Sequence, residues 1–197
     1  MKDLNIDSLF ILSGPSGAGE DTIIEKLSKK IELERTITTT TRDMRSGESQ
    51  GNPYHFISKQ KFQEKIEAGD FFEYAEQDND NLYGITYKEL QRVVNLDKVG
   101  IWKIDYKGVR TAKKKLPDII AIMIYAPKEK LKQRMINRGA ASSEFVEERL
   151  NYAQGWLKNE DLFDYKVKNE QNKLREAVEE TLAIIEKECP EEYLHYK

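Results

Sequence analysis

Apolar residues come in two alternating patterns along the chain: short unbroken runs that stop at glycine or polar turns, and longer stretches with apolar positions three and four apart. The first pattern marks strands buried in a parallel sheet, the second helices that pack on it by one face. Ser8 to Ser13 reads as a buried strand, and Thr22 to Ile31, with Ile23, Ile24, Leu27 and Ile31 at helical spacing, as the helix after it. Arg35 to Arg42, rich in β-branched threonine, reads as a strand feeding a polar turn from Asp43 to Pro53 that Gly47 and Gly51 break. Ser58 to Ala68 predicts a short helix with Ser58 as N-cap and Gly69 as stop. Phe71 to Glu76 is then a strand and Tyr83-Gly84 a turn, and Thr86 and Glu89, at capping-box spacing, open a helix to about Asn95.

The parallel pattern resumes with a strand from Val99 to Asp105, a helix from Val109 to Lys115 closed before Pro117, and a continuous apolar strand from Ile119 to Ala126. Two helices flank a lid around Arg138 to Ser143. Asp164 to Lys168 is the last strand, and Asn172 to Glu188, with Leu174, Ala177, Val178, Leu182 and Ile185 on one face, the last helix. The chain carries no internal repeat. The architecture expected is one α/β domain with an open parallel sheet flanked by helices. Its core spans 1–34 and 97–197, a smaller β-rich lobe is inserted at 35–96, and a lid lies at about 128–150.

Composition narrows this picture. With 197 residues, 39% of them apolar, the chain is long enough for one well-packed domain. A net charge of −3 argues against a general nucleic-acid binder, yet is compatible with a small anionic ligand held by a few placed arginines. The single cysteine, Cys189, cannot form an internal disulfide and reads as a helix-end residue. The first residues lack the basic and apolar segments of a secretion signal, and Ile119 to Ala126 is too short to span a bilayer. A soluble cytoplasmic protein, with neither nucleic acid nor membrane as partner, is expected.

Candidate chemistry begins where the first strand ends. Gly14-Pro-Ser16-Gly17-Ala18-Gly19 is a glycine-rich turn between a strand and a helix, the arrangement in which successive backbone N–H groups point at an anion. The spacing fits G-x-x-x-x-G-K-[ST] up to its last two positions. Where that motif has a lysine for the β- and γ-phosphates and a hydroxyl for Mg2+, this chain has Glu20 and Asp21, followed by Thr22. A unit charge about 4 Å from a phosphate oxygen is worth roughly 4 kcal/mol at an effective dielectric near 20, so reversing its sign reverses a contribution of that size.

Beyond the glycine loop, the ordered set Thr40-Thr41-Arg42-Asp43-Met44-Arg45 with Gly47-Glu48, Tyr54 and Phe56, Phe72-Glu73-Tyr74-Ala75, Tyr83-Gly84, Ile104-Asp105, and Arg134 four residues before Arg138-Gly139 resembles guanylate kinase. The similarity runs from about residue 8 to 188. It implies that the inserted lobe holds GMP, with Arg42 and Arg45 gripping the phosphate and the Tyr54 and Tyr83 hydroxyls donating to it. Glu73 matches the carboxylate that reads guanine, Thr38 a hydroxyl where the family commonly has serine, and Asp105 the acid near the base. The family's Tyr-Gly-Ser becomes Tyr83-Gly84-Ile85, which removes a hydroxyl that Thr86 could replace only if the turn shifts.

On the ATP side, Gly14, Ser16, Gly17, Ala18, Gly19, Glu20, Asp21 and Thr22 match the phosphate loop, the role of Thr22 being mainly structural. Arg134, Arg138 and Arg149 match the arginines that clamp the triphosphate during transfer. ATP and Mg2+ are the cofactors implied if the protein is active, and no residue is assigned as a metal ligand. The family's Asp-Ile-Asp reads Lys103-Ile104-Asp105 here, so a cation has appeared where the cradle became acidic. Pairing of Lys103 with Asp21 or Glu20 is therefore expected. Two functions follow: a weak ATP:GMP phosphotransferase in which Lys103 or a lid arginine stands in for the missing lysine, or an inactive module. The module would sense GMP or a related purine nucleotide, or dock a phosphorylated segment of a protein partner, as the related domains of membrane-associated scaffolds do.

Overall fold

The apolar runs become the strands of one parallel sheet and the amphipathic stretches the helices that cover it. The computed structural model describes residues 4–76, 80–137, 139 and 142–197. The elements in order are β1 (Leu9–Ser13), α1 (Glu20–Leu27), β2 (Leu33–Arg35), β3 (Thr38–Thr40), β4 (Ser49–Gln50), β5 (Pro53–Phe56), α2 (Lys59–Glu67), β6 (Phe71–Glu76), β7 (Leu82–Thr86) and α3 (Tyr87–Val94). The second half adds β8 (Val99–Lys103), α4 (Tyr106–Lys115), β9 (Ile120–Tyr125), α5 (Lys128–Asn137), α6 (Ser143–Leu157), β10 (Tyr165–Lys168) and α7 (Leu174–Glu188).

The core sheet is parallel throughout, in the order β10-β9-β1-β8-β2. Its central strand, β1, is buried on both faces, and the period of two splits its side chains between two clusters. Phe10 and Leu12 join Ile122 and Ile124 under α1 and α7, whereas Leu9 and Ile11 join Trp102, Ala121 and Met123 under α3 and α4. This is why these strands read as unbroken apolar runs.

A second, mixed sheet in the order β4-β5-β3-β7-β6 builds the lobe. The expected single strand from Arg35 to Arg42 is in fact two, because the chain changes sheets there. β2 ends at Arg35, Thr36 N–H still donates to the Ile101 carbonyl at 2.9 Å, and β3 starts only at Thr38. Two further expectations need correction. Tyr83-Gly84 is not a turn but the middle of β7, paired with β3 on one side and β6 on the other. The polar segment from Asp43 to Pro53 contains β4 and the start of β5, strands too short to show an alternation.

Capping follows local chemistry. Ser58 accepts the Lys61 N–H, and Thr86 accepts the Glu89 N–H, so both helices start where their hydroxyls are. The return half of the capping box is diverted, since the Glu89 carboxylate accepts from Ile37 N–H at 2.7 Å and from Arg92. Among the described residues, no helix is long and apolar enough to cross a membrane.

Candidate functional site

The glycine loop leaves the carboxyl end of β1 and enters α1. Gly19 has φ of 102°, a left-handed conformation, and a Cβ there would come within 2.5 Å of the Asn169 amide nitrogen. That nitrogen donates to the Ala18 carbonyl at 2.7 Å. The Arg134 guanidinium donates to the Gly17 and Ala18 carbonyls at 3.1 and 3.3 Å, and to the Asn169 carbonyl at 2.9 Å. With its carbonyls held from behind, the loop is fixed as a cradle. Arg134, which the sequence assigns to the triphosphate, is thus placed behind the loop beside a smaller cavity of about 260 Å³ that also takes in Thr22. Arg138 lies outside the described residues. Arg149 lines the main cleft, with its guanidinium 5.2 Å from the centre of the Phe145 ring.

The two acids of the cradle are held differently. The Glu20 carboxylate folds back to accept the Gly19 N–H at 3.0 Å and is only 7% exposed. Burial raises its pKa above the ordinary carboxylate value, and the Lys103 charge offsets part of that rise. Asp21 accepts Lys103 Nζ at 2.5 Å through Oδ2 and Arg35 Nη2 at 2.9 Å through Oδ1. Burial opposes its charge, but Lys103 and Arg35 together outweigh it and hold the carboxyl below its usual range. The register explains the pairing: Lys103 stands beside Leu12, at the end of the strand that feeds the cradle. The expected Lys103–Asp21 contact is therefore present. Arg35 was missed, because nothing in the sequence places the end of β2 at this mouth.

These contacts decide how an Mg2+–ATP complex would fit. One cradle N–H already serves a carboxylate of the protein itself, and the position that should offer a metal-binding hydroxyl offers a carboxylate neutralised by two cations. The residues present do not suit a triphosphate and its metal.

The cradle opens into a cleft of about 530 Å³ that also takes in Gly14, Ser16, Thr38, Arg42, Arg45, Tyr54, Glu73, Tyr83 and Asp105. Arg42 is 9% exposed, and its fork meets Glu48 through Nη1 at 3.0 Å and Nη2 at 2.8 Å. Its guanidinium carbon also lies 5.4 Å from the ring centres of Tyr54 and Phe56. Glu48 fixes the loop by accepting the Arg45 N–H at 2.8 Å. The sequence displays Glu48 within its motif but gives no hint that it occupies Arg42.

At the deep end Glu73, 8% exposed, faces Asp105, and burial followed by the Asp105 charge pushes its pKa to about 7. Asp105 caps α4 by accepting the Gly108 N–H at 2.9 Å, and also accepts the Tyr152 hydroxyl at 2.6 Å, a partner 47 positions away that no local pattern announces. Ile85 lines the cleft, whereas Thr86 is not among its lining residues and spends its hydroxyl as the α3 cap. Thr86 therefore does not replace the hydroxyl missing at Ile85.

A glycine loop at the carboxyl end of the central parallel strand, opening into a helix, is how P-loop folds present backbone donors to phosphate, and the inserted lobe standing over that loop makes this fold that of a P-loop nucleotide kinase. A family model described as Guanylate kinase matches residues 7–188. A guanylate kinase of Campylobacter jejuni (strain RM1221) is 35% identical over 181 residues, covering 90% of this chain and 87% of that protein. One from Hydrogenovibrio crunogenus is 37% identical over 164 residues, covering 82% and 80%. The crystal structure of a guanylate kinase from Anaplasma phagocytophilum matches with a TM-score of 0.73 over 94% of this chain and 88% of that one; its 24% identity speaks for the fold. The chain belongs to the guanylate kinase family.

Proposed function

We propose that this family member binds GMP in the lobe and has a strongly impaired ATP:GMP phosphotransfer. For the first half, the support is that two arginines, two tyrosines and a buried carboxyl, the residue types needed for a phosphate dianion and a guanine edge, line one cleft. Arg42 supplies a planar fork for the phosphate, Tyr54 and Tyr83 supply hydroxyl donors, and Glu73 supplies acceptors for N1–H and the 2-amine. Replacement of the hydroxyl by Ile85 leaves one acceptor of the base unmatched, at a cost of about 1–3 kcal/mol.

For the second half, the observation that carries the reading is the 2.5 Å ion pair between Lys103 and Asp21 in the cradle mouth. Lys103 is drawn to an acid of the protein, so it is not available as a substitute for the missing loop lysine. Family membership implies ATP and Mg2+ as cofactors for any residual transfer.

A coupled ADP-release assay with ATP, Mg2+ and GMP, run beside calorimetric titration of each nucleotide, tests both halves. GMP binds measurably without Mg2+, and turnover is several orders of magnitude below what an intact loop would give. Absence of heat and of any thermal shift with millimolar GMP would overturn the first half, and tight ATP binding by the unmodified protein the second.

A further inference from the structure

The carboxyl at the deep end of the cleft sits in unusual company. Across the lobe sheet, the register partner of Glu73 on β7 is Ile85, an apolar side chain 1% exposed. From the core side the first turn of α4 approaches, so that a Cβ built on Gly108 would lie 3.5 Å from Glu73 Oε1. The cap of that turn, Asp105, is supplied with donors by Gly108 N–H and the Tyr152 hydroxyl. Among the described residues, no hydrogen-bond donor is placed on the Glu73 carboxyl itself. The cation whose charge acts on it, Lys115 at the far end of α4, donates to the Phe72 carbonyl and lies over the Phe72 ring. β7 brings Tyr83 to the same cleft, and Arg42, beyond β3, is engaged by Glu48. Burial and the Asp105 charge thus prevail over Lys115, and the group titrates at about 7.

We propose that Glu73 reads the base of a bound nucleoside monophosphate in two protonation states, taking a 6-oxo-2-aminopurine when ionised and a 6-aminopurine when it carries a proton. The inference rests on the proposed purine monophosphate site and adds a second ligand class to it. An ionised carboxylate offers two acceptors side by side, the complement of the N1–H and 2-amine donors of guanine. A neutral carboxyl offers one O–H donor beside one acceptor, the complement of the N1 lone pair and 6-amine of adenine. To present that edge the adenine turns so that its position 6, in place of position 2, meets Glu73, and the apolar Ile85 makes no hydrogen bond to the purine that would oppose the turn. The proton balance is simple. Below pH 7 guanine binding sends the Glu73 proton to solvent, and above it adenine binding takes one up.

The test is calorimetric titration of the full chain with GMP and with AMP from pH 6 to 8. Both ligands carry the same 5′-phosphate, so its own titration cancels in the ratio of their affinities. Linkage then requires that ratio to rise about tenfold per pH unit in favour of GMP. In buffers of different ionisation enthalpy, GMP binding releases about one proton more than AMP binding at the same pH, the phosphate contribution being common to both. Glu73→Gln, whose amide has a fixed donor and acceptor, gives a ratio shifted toward AMP and flat with pH; the wild-type ratio stands as the test even if this variant folds poorly. A flat wild-type ratio with GMP still bound overturns the proposal and leaves the GMP site standing. Failure of both nucleotides to bind at any pH overturns the site, and the proposal with it.

Discussion

At the lobe end of the cleft Glu48 sits on the Arg42 guanidinium, and at the cradle end Glu20 sits on the Gly19 amide, so both anion sites hold a carboxylate of the protein's own. They differ in how readily that carboxylate can leave. Glu48 belongs to the loop between β3 and β4, both partners of the pair are side chains with other rotamers, and a phosphate dianion offers Arg42 the same bidentate geometry with more charge. Glu20 is the first residue of α1, its donor is the backbone of the residue before it, and its side chain packs over Gly14, where a Cβ would meet Glu20 Cγ at 3.2 Å. The first contact is an exchangeable occupant and the second a fixed plug. On the proposed reading, the same internal pairing preserves one anion site and closes the other.

The strongest way to break this comparison is to unplug the cradle. Glu20→Lys with Asp21→Ser and Lys103→Asp reverses the charge at positions 20 and 103 and removes it at 21, while leaving the loop backbone and its Arg134 brace in place. ATP–Mg2+ affinity and coupled ADP release are expected to rise by two to three orders of magnitude, about 3–4 kcal/mol. An unchanged rate in a folded triple variant would show that the obstacle lies elsewhere.

The lobe has a cost of its own. Glu73 titrates at about 7 in the folded chain against an ordinary value of 4.5. A raised carboxyl contributes its full share to stability only below the unfolded value, and that share is lost as pH climbs through the folded one. Above pH 7 the ionised, buried group therefore costs about 3 kcal/mol. Glu73→Gln should stabilise the protein by about that amount at pH 8 and by no more than about 0.5 kcal/mol at pH 4.5, as urea melts at the two pH values would read. Equal effects at both pH values would place the gain in packing.

Exchangeability at the lobe end can be sharpened with a pair of variants. Arg42→Ala is expected to weaken GMP binding by about 1.5–3 kcal/mol, the range for hydrogen bonds to a charged group. Glu48→Gln removes the competing charge and one acceptor oxygen, while the remaining oxygen can still take the Arg45 N–H, so GMP binding should hold or tighten in the same titration. A loss with Glu48→Gln as large as that with Arg42→Ala would mean that Glu48 positions the arginine and does not compete with the ligand.

Much of the fold was legible because burial on both faces leaves strands such as Ile120–Tyr125 as unbroken apolar runs, and because Ser58 and Thr86 announce their helices. The lobe was read less well. β4 has two residues and β5 four, too few for alternation to appear, and the Gly84 that suggested a turn is required by close packing against Tyr74 and Phe71 within a strand. Among site residues, the ordered motifs brought Arg42, Tyr54, Glu73, Tyr83 and Asp105 to one cleft, and the charge swap led to Lys103 beside Asp21. Contacts that depend on where strands end in space were invisible, as with Arg35 at the cradle mouth and Tyr152 on Asp105. The carbonyl partners of Arg134 were hidden for a similar reason: spacing gives the face of a helix but not which backbone lies opposite.

The smallest expected effect separates the plug from the ion pair beside it. If Glu20 closes the cradle, the Lys103–Asp21 contact neutralises charge but contributes little to holding the fold. Their side chains are 26% and 54% exposed, and Asp21 retains Arg35 when Lys103 is removed, so solvent screening and the second cation both reduce the coupling. A double-mutant cycle of Lys103→Met and Asp21→Asn should give a coupling of about 0.5–1 kcal/mol in low salt. It should shrink as ionic strength approaches about 1 M, where the screening length is about 3 Å. Neither single variant should restore ATP binding, because the Glu20 carboxylate still occupies the Gly19 N–H. If Lys103→Met alone raises ATP affinity, or if the coupling exceeds about 2 kcal/mol and ignores salt, the ion pair is itself the lock and Glu20 only its neighbour.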